Sequence, residues 1–182
     1  MSAPAVEVRL VRLDDAAALA ALLVRNRQAL APWDPVRAEA YFTVEGQRRA
    51  LGDALHLHHG GEAYPGLVLV DGQAAGRVNL NNVVHGAFRS ADLGYWVDRA
   101  RQGRGVATAA VAAVLRVAFD GLDLHRVQAG TLVHNHASRR VLAHNGFYEI
   151  GLAPRYLSIA GRWQDHVLHQ VLADDPRPAL TT

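Results

Sequence analysis

The chain has no cysteine and a single methionine among its 182 residues. Without cysteine there are no disulfides, no thiol nucleophile and no cysteine-built zinc site, a composition compatible with a reducing cytoplasm, where we expect the protein. No apolar run is long enough to span a bilayer, and the opening MSAPAVEVRL carries no signal-peptide pattern, so no membrane partner is expected. Repeats, low-complexity tracts and internal linkers are also missing, apart from a tail, DDPRPALTT. Neither sign of charge dominates: 19 basic against 17 acidic residues leave a formal charge of +2. So small an excess argues against direct nucleic-acid binding, which usually shows as a basic stripe.

Half of the residues are apolar and a fifth are charged, as in an ordinary globular protein. The length suits one domain, expected over residues 1–173, with residues 174–182 as a flexible tail. Ten histidines are many, yet the only dense patch is HLHH, His56 to His59. No carboxylate stands at matching spacing, so a polar helix end before Gly60 and Gly61 is expected there, and no metal.

VEVRLVRL alternates as a first strand, and Asp14 is placed to cap a helix with Ala16, Leu19, Ala20, Leu23 and Val24 on one apolar face. APWDP interrupts the chain at Pro32 and Pro35, and a second helical stretch runs to about His58. Three antiparallel strands follow. GLVLV and QAAGRVNLNNV are joined by an Asp71-Gly72 hairpin turn, and SADLGYWVD completes the meander. An Ala/Val helix then extends from about Gly105 to Phe119, followed by the strand RVQAGTLV. NHASRRVLAHNG is a helix capped by Asn135 and closed by Gly146, and FYEIGLA and QDHVLHQVL form a last hairpin. This order describes an α/β (α+β) protein with a mixed, mostly antiparallel sheet and helices on both faces.

A glycine-rich turn, DRARQGRG, stands between the third meander strand and the Ala/Val helix, with Arg99, Arg101 and Arg104 clustered in it. A local arginine cluster at a helix N-terminus points to a small anionic ligand. Two familiar phosphate loops do not fit. A P-loop requires Gly-Lys-Ser/Thr, and no lysine follows Gly105. The dinucleotide fingerprint G-x-G-x-x-G would need a third glycine at Thr108, and should follow the first strand of a βαβ unit. What remains is Q-x-x-G-x-A, met by Gln102, Gly105 and Ala107, five residues after Val97 at the strand end. Gly103 and Gly105 let backbone N–H groups converge without Cβ obstruction, and a small Ala107 keeps the helix start slim beside Val106. Arg101 and Arg104 add positive charge. The competing reading is a glycine turn with solvated arginines.

At this point the sequence resembles the GNAT N-acetyltransferases, in the order of elements and in two blocks, QGRGVA and NHASRRVLAHNGF, over about Val6 to Leu172. LAPWDP, LGYWVD and RYLSIAGRWQDHVL, together with the second block, resemble the RimJ/RimL type, which acetylates ribosomal-protein N-termini. The resemblance implies a sheet that splays after its fourth strand. It also implies acetyl-CoA as cosubstrate, bound by Val97, Gln102, Gly103, Arg104, Gly105, Val106 and Ala107, with Asn135 on the pantetheine. The implied activity is direct acetyl transfer to an amine, with a ribosomal-protein N-terminus as the acceptor partner. An oligomer such as a homodimer is left open. A small-molecule amine acceptor, and a non-catalytic acyl-CoA-binding module, are the alternatives.

In much of the family a tyrosine seven residues after the asparagine protonates the leaving sulfur; here that position is Leu142. Ser138 matches the serine of the Rim-type enzymes and is the candidate catalytic residue, unless it only reinforces the helix start. A glutamate that some of those enzymes carry just before the YL is Arg155 here. Asp34, Glu39, Tyr95 and Asp165 are therefore candidate bases, each with an ordinary structural role as its rival. Trp33, Asp34, Tyr95 and Asp165 are the candidate acceptor contacts. Trp33 and Asp34 otherwise make a hydrophobic staple with a cap, and Tyr95 is otherwise a packing aromatic. Asp165 and His166 cannot form a simple dyad, because neighbours in a strand face opposite ways.

Overall fold

The computed structural model describes residues 5–176. Its strands are β1 (Val6–Leu10), β2 (Tyr64–Val70), β3 (Gln73–Val84), β4 (Ser90–Val97), β5 (Arg126–Leu132), β6 (Tyr148–Ile159) and β7 (Arg162–Leu172). Its helices are α1 (Ala16–Leu30), α2 (Val44–His59), α3 (Val106–Arg116) and α4 (His136–His144). The seven strands form one sheet in the order β1-β2-β3-β4-β5-β7-β6. Every neighbouring pair is antiparallel except β4 and β5. That parallel pair is short, joining only Ser90–Asp92 to Arg126–Gln128, so beyond Asp92 the two strands diverge. The splay after the fourth strand is thus present.

Alternation along the strands builds a core on each face. Val68 and Val70 of β2 point into a cluster with Val106, Val111 and Val114 of α3, whereas Leu67 and Leu69 join Leu19 and Leu22 of α1 and Leu51 of α2. Each such fully buried aliphatic side chain contributes about 1.5–3 kcal/mol relative to exposure. Asp71 and Gly72 both have positive φ, 50° and 76°, the geometry of a two-residue hairpin turn. Among the described residues, no helix is long and apolar enough to cross a membrane.

Several expectations are corrected in detail. β1 ends at Leu10 rather than Leu13, and Leu13–Asp15 form a short 3-10 turn. The residue that organises this corner is Asp15, not Asp14. Its carboxylate accepts the Arg12 N–H at 2.7 Å and a forked pair of bonds from Arg9. Val24 is exposed, and the face of α1 it was expected to share is completed by Leu22 and Asn26. Regular α3 stops at Arg116, where Val117–Gly121 widen into a π-type turn. The closing hairpin is longer than expected because β6 continues to Ile159 and β7 starts already at Arg162, with a bulge between Ala153 and Leu157 and a tight turn at Ala160-Gly161. At the C-terminal end the Asp175 carboxylate accepts the Leu172 N–H, while residues 177–182 of the expected tail lie outside the described residues.

Candidate functional site

Where β4 diverges from β5, a cavity of about 570 Å³ lies between the end of β4 and the N-terminal parts of α3 and α4. From β4 come Tyr95, Trp96 and Val97; from the turn and α3 come Gln102, Gly103, Gly105, Val106, Ala107 and Thr108; and α4 presents Asn135, Ala137 and Ser138. Leu30 and Trp33 close the side toward α1, and the Trp33 ring lies 5.4 Å from that of His134.

Both turn glycines adopt the left-handed conformation, φ 71° at Gly103 and 75° at Gly105. Gly105 is the N-cap of α3, and the first rung of the helix is the Ala109 N–H to the Gly105 carbonyl at 2.9 Å. The N–H groups before that rung have no intrahelical acceptor and carry the positive end of the helix dipole. A Cβ built on either glycine would meet open space. The glycines are therefore required by backbone conformation, and the space beside them is open.

The structure redistributes the roles around this turn. The Gln102 amide donates to the Val97 carbonyl at 3.0 Å, folding the turn back onto the end of β4. Arg101 donates to Gln73, and Arg104 is exposed and takes no part in the cavity wall. Of the four acceptor-side candidates, Trp33 and Tyr95 reach the wall. The Asp34 carboxylate accepts from Arg37 at 3.2 Å, and its carbonyl accepts the Ala160 N–H of the β6–β7 turn. Asp165 accepts the Arg155 N–H at 2.8 Å, holding the bulge of β6. Glu39 is paired with Arg27 on the surface. His166 is buried while Asp165 is exposed, so the two do face opposite ways.

On the other wall, Asn135 Oδ1 accepts the Ser138 N–H at 3.1 Å and caps α4 as expected. Ser138 Oγ lies 2.7 Å from the Tyr95 hydroxyl. Burial pushes the Tyr95 phenol up to about 12, against a smaller opposing effect of that hydrogen bond. It therefore stays protonated at neutral pH. The patch His56 to His59 lies at the end of α2, where the His58 ring is bonded to the Ala63 carbonyl at 2.9 Å.

Comparison with known proteins identifies this architecture. The sequence profile of the acetyltransferase (GNAT) domain matches residues 6–148. The chain belongs to the GNAT acetyltransferase family. It is 38% identical over 173 residues to the [ribosomal protein uS5]-alanine N-acetyltransferase of Escherichia coli, covering 94% of this chain and 89% of that protein. It is 35% identical over 170 residues to the probable N-acetyltransferase YjcK of Bacillus subtilis, covering 92% and 94%. Mycobacterium smegmatis RimJ, solved in complex with CoA-disulfide, superposes with a TM-score of 0.90 at 38% identity, over 93% of this chain and 82% of that one. The chain is thus a GNAT enzyme of the RimJ/RimL-like group, with the GNAT fold.

Sequence reasoning missed the clamp that anchors the glycine turn in this acetyltransferase. Asp98, at the root of the turn, is buried and accepts from Arg25 at 2.6 Å and from Asn26 at 3.0 Å. Asn26 returns its own oxygen to the Arg99 N–H at 2.8 Å. α1 and the turn are therefore joined across more than seventy residues of sequence, a distance at which local patterns are silent. Burial opposes ionisation of Asp98, but the hydrogen bonds from Arg25, Asn26 and the Ala100 N–H outweigh it and hold the carboxyl below its ordinary value. A carboxyl depressed in the folded state stabilises fully above its unfolded value, about 3.9, and that contribution is lost as pH falls through the folded value. Asp98→Asn is expected to lose less stability than the parent chain between pH 5 and pH 3 in urea titrations. An equal loss would show that Asp98 does not contribute to acid sensitivity.

Proposed function

We propose that this acetyltransferase moves the acetyl group of acetyl-CoA to the N-terminal α-amine of a protein, a ribosomal protein in particular, in the cytoplasm. The observation that carries the reading is the chemistry of the cavity wall. It offers the hydroxyls of Tyr95, Thr108 and Ser138 and the imidazole of His144, and no carboxylate. A polycationic metabolite would call for acidic partners in the wall. An α-amine with pKa ~7.7–8.0 is roughly a quarter neutral at pH 7.4, whereas a lysine near 10.4 is about one part in a thousand neutral. A wall without a carboxylate, whose imidazole at His144 is hydrogen-bonded through Nδ1 to the Arg140 carbonyl, therefore favours the α-amine. The 38% identity to the [ribosomal protein uS5]-alanine N-acetyltransferase of Escherichia coli supports the same acceptor.

The proposed division of labour follows from the geometry. N–H groups of residues 103–107, at the positive end of α3, hold the pyrophosphate, with Gln102 bracing the turn against Val97. Asn135 spends its oxygen on Ser138 and keeps its amide nitrogen for the pantetheine arm. Ser138 offers its hydroxyl hydrogen to the leaving sulfur. A free thiol titrates near ~8.5, so a thiolate stabilised by one hydrogen bond can leave without full proton transfer. Trp33 and Tyr95 flank the approach of the amine.

An acceptor panel tests this reading by following CoA release. Peptides beginning with Ala or Ser should support turnover, and blocking their α-amine should abolish it even when a lysine is present. Turnover confined to polyamines, aminoglycosides or free amino acids would overturn the protein-acceptor assignment. Binding of CoA without turnover on any acceptor would instead favour a non-catalytic module.

A further inference from the structure

Tyr95 and Ser138 are 43 positions apart in sequence and on different elements, yet their hydroxyls meet in the cavity wall. The phenol has two oxygens of Ser138 within reach, Oγ at 2.7 Å and the carbonyl at 3.2 Å. It has one hydrogen to give. The shorter contact is an ordinary O–H···O bond, whereas the longer lies beyond the usual range, so the hydrogen belongs on Oγ. Acidity gives the same direction. A phenol is a stronger acid than an aliphatic alcohol and so the better donor, while the alcohol oxygen is the better acceptor.

From this geometry we infer that Tyr95 is a positioning residue for catalysis, donating its hydroxyl hydrogen to Ser138 Oγ so that the serine hydrogen is turned toward the leaving sulfur. The inference rests on the reading of Ser138 given above and adds the group that aims it. Three contacts fix the serine: the Asn135 carboxamide holds its N–H, α4 holds its backbone, and Tyr95 fills one lone pair of its hydroxyl. With Oγ already accepting, its hydrogen has no reason to fold back onto the phenol and is available to a sulfur in the cavity. Accepting a hydrogen bond also makes a hydroxyl a better donor, since linked hydrogen bonds polarise one another. The high titration of the phenol keeps this arrangement intact across the working pH range. It also argues against Tyr95 as the base, because a group that ionises near 12 does not collect protons from an amine at neutral pH. No net proton leaves Tyr95: the only hydrogen offered to the sulfur is that of Ser138.

The position of Leu142 gives the arrangement a rationale. Leu142 is fully buried, in the core with Val111 and Val114, and has no hydroxyl to present to the cavity. The two hydroxyls that meet in the cavity wall instead come from the first turn of α4 and from β4.

Turnover of Tyr95→Phe, Ser138→Ala and the double variant tests the inference. Ser138→Ala should lower kcat about 10–100-fold, the worth of one hydrogen bond to a developing charge. Tyr95→Phe should lower kcat about 5–10-fold, with the calorimetric Kd for CoA within twofold of the parent chain. In the double variant the Tyr95 change should add nothing to the Ser138 change, because the phenol acts only through the serine. A phenol with a merely structural role would lower the double variant further and weaken CoA binding. Additive losses, or an unaltered kcat for Tyr95→Phe beside an impaired Ser138→Ala, would overturn the positioning role alone. An unimpaired Ser138→Ala would overturn the reading of Ser138 on which it rests.

Discussion

Gly105→Val is expected to weaken CoA binding by about 100-fold or more in calorimetry, while the fold persists. Gly105 is the N-cap of α3 at φ 75°, a conformation that a β-branched residue adopts only as an outlier. The cost is about 1–2 kcal/mol for leaving the allowed region, and nothing packs against the new side chain to offset it. The chain cannot rotate away as a unit, because Val106 is buried in the core immediately after it. Relaxation must therefore come from the exposed turn, whose N–H groups then cease to converge. Each hydrogen bond to a charged group lost there is worth about 1.5–3 kcal/mol, so two of them exceed a 100-fold change. Gly105→Asn separates conformation from bulk, since asparagine tolerates the left-handed region through local hydrogen bonds. It should retain binding within about tenfold. If valine at this position binds CoA as glycine does, residues 102–107 are not the pyrophosphate site.

That turn was readable in the sequence because its requirement is local: two glycines, at 103 and 105, meet a backbone conformation few other residues tolerate. The Asp71-Gly72 turn and the Asn135 cap were legible for the same reason, each a short-range signature with one physical cause. The turn at Ala160-Gly161 was missed because alanine at φ 51° carries no such signature. What holds it is remote, the Ala160 N–H donating to the Asp34 carbonyl at 3.0 Å. Asp34 and Asp165 stand out in the sequence for their carboxylates; in the structure that of Asp34 pairs with Arg37, and that of Asp165 holds the Arg155 N–H at the bulge of β6. Only tertiary contact distinguishes a carboxylate that shapes backbone from one that faces a substrate. Tyr95 and Ser138, and likewise Asn26 and Asp98, acquire their meaning from partners too far along the chain for any spacing rule.

The same limit governs glycines, and Gly76 gives a large stability effect that reaches the site. Gly76 of β3 pairs with Val97 of β4, and a Cβ built on it would lie 2.2 Å from the Trp96 carbonyl oxygen and 2.9 Å from Val97 Cα. Both are backbone atoms, so no side-chain rotation relieves the contact and the two strands must separate. Overpacking of a fixed interior costs 1–3 kcal/mol, and a contact with main chain belongs at the upper end, about 3 kcal/mol. The damage would not stay in the sheet. Trp96 and Val97 line the cavity, Val97 accepts the Gln102 amide, and the Asp98 N–H is bonded to Ala75 beside Gly76 at 2.7 Å. Gly76→Ala should therefore lower the urea midpoint and weaken CoA binding together. Gly52, inside α2 with nothing within 4 Å of a built Cβ, is the matched comparison. Gly52→Ala should stabilise by about 0.5–1 kcal/mol, because alanine reduces the entropy lost on folding and favours the helix. Equal effects at the two positions would mean that close approach of β3 and β4 does not constrain Gly76, and that the end of β4 is free to shift without cost to the site it carries.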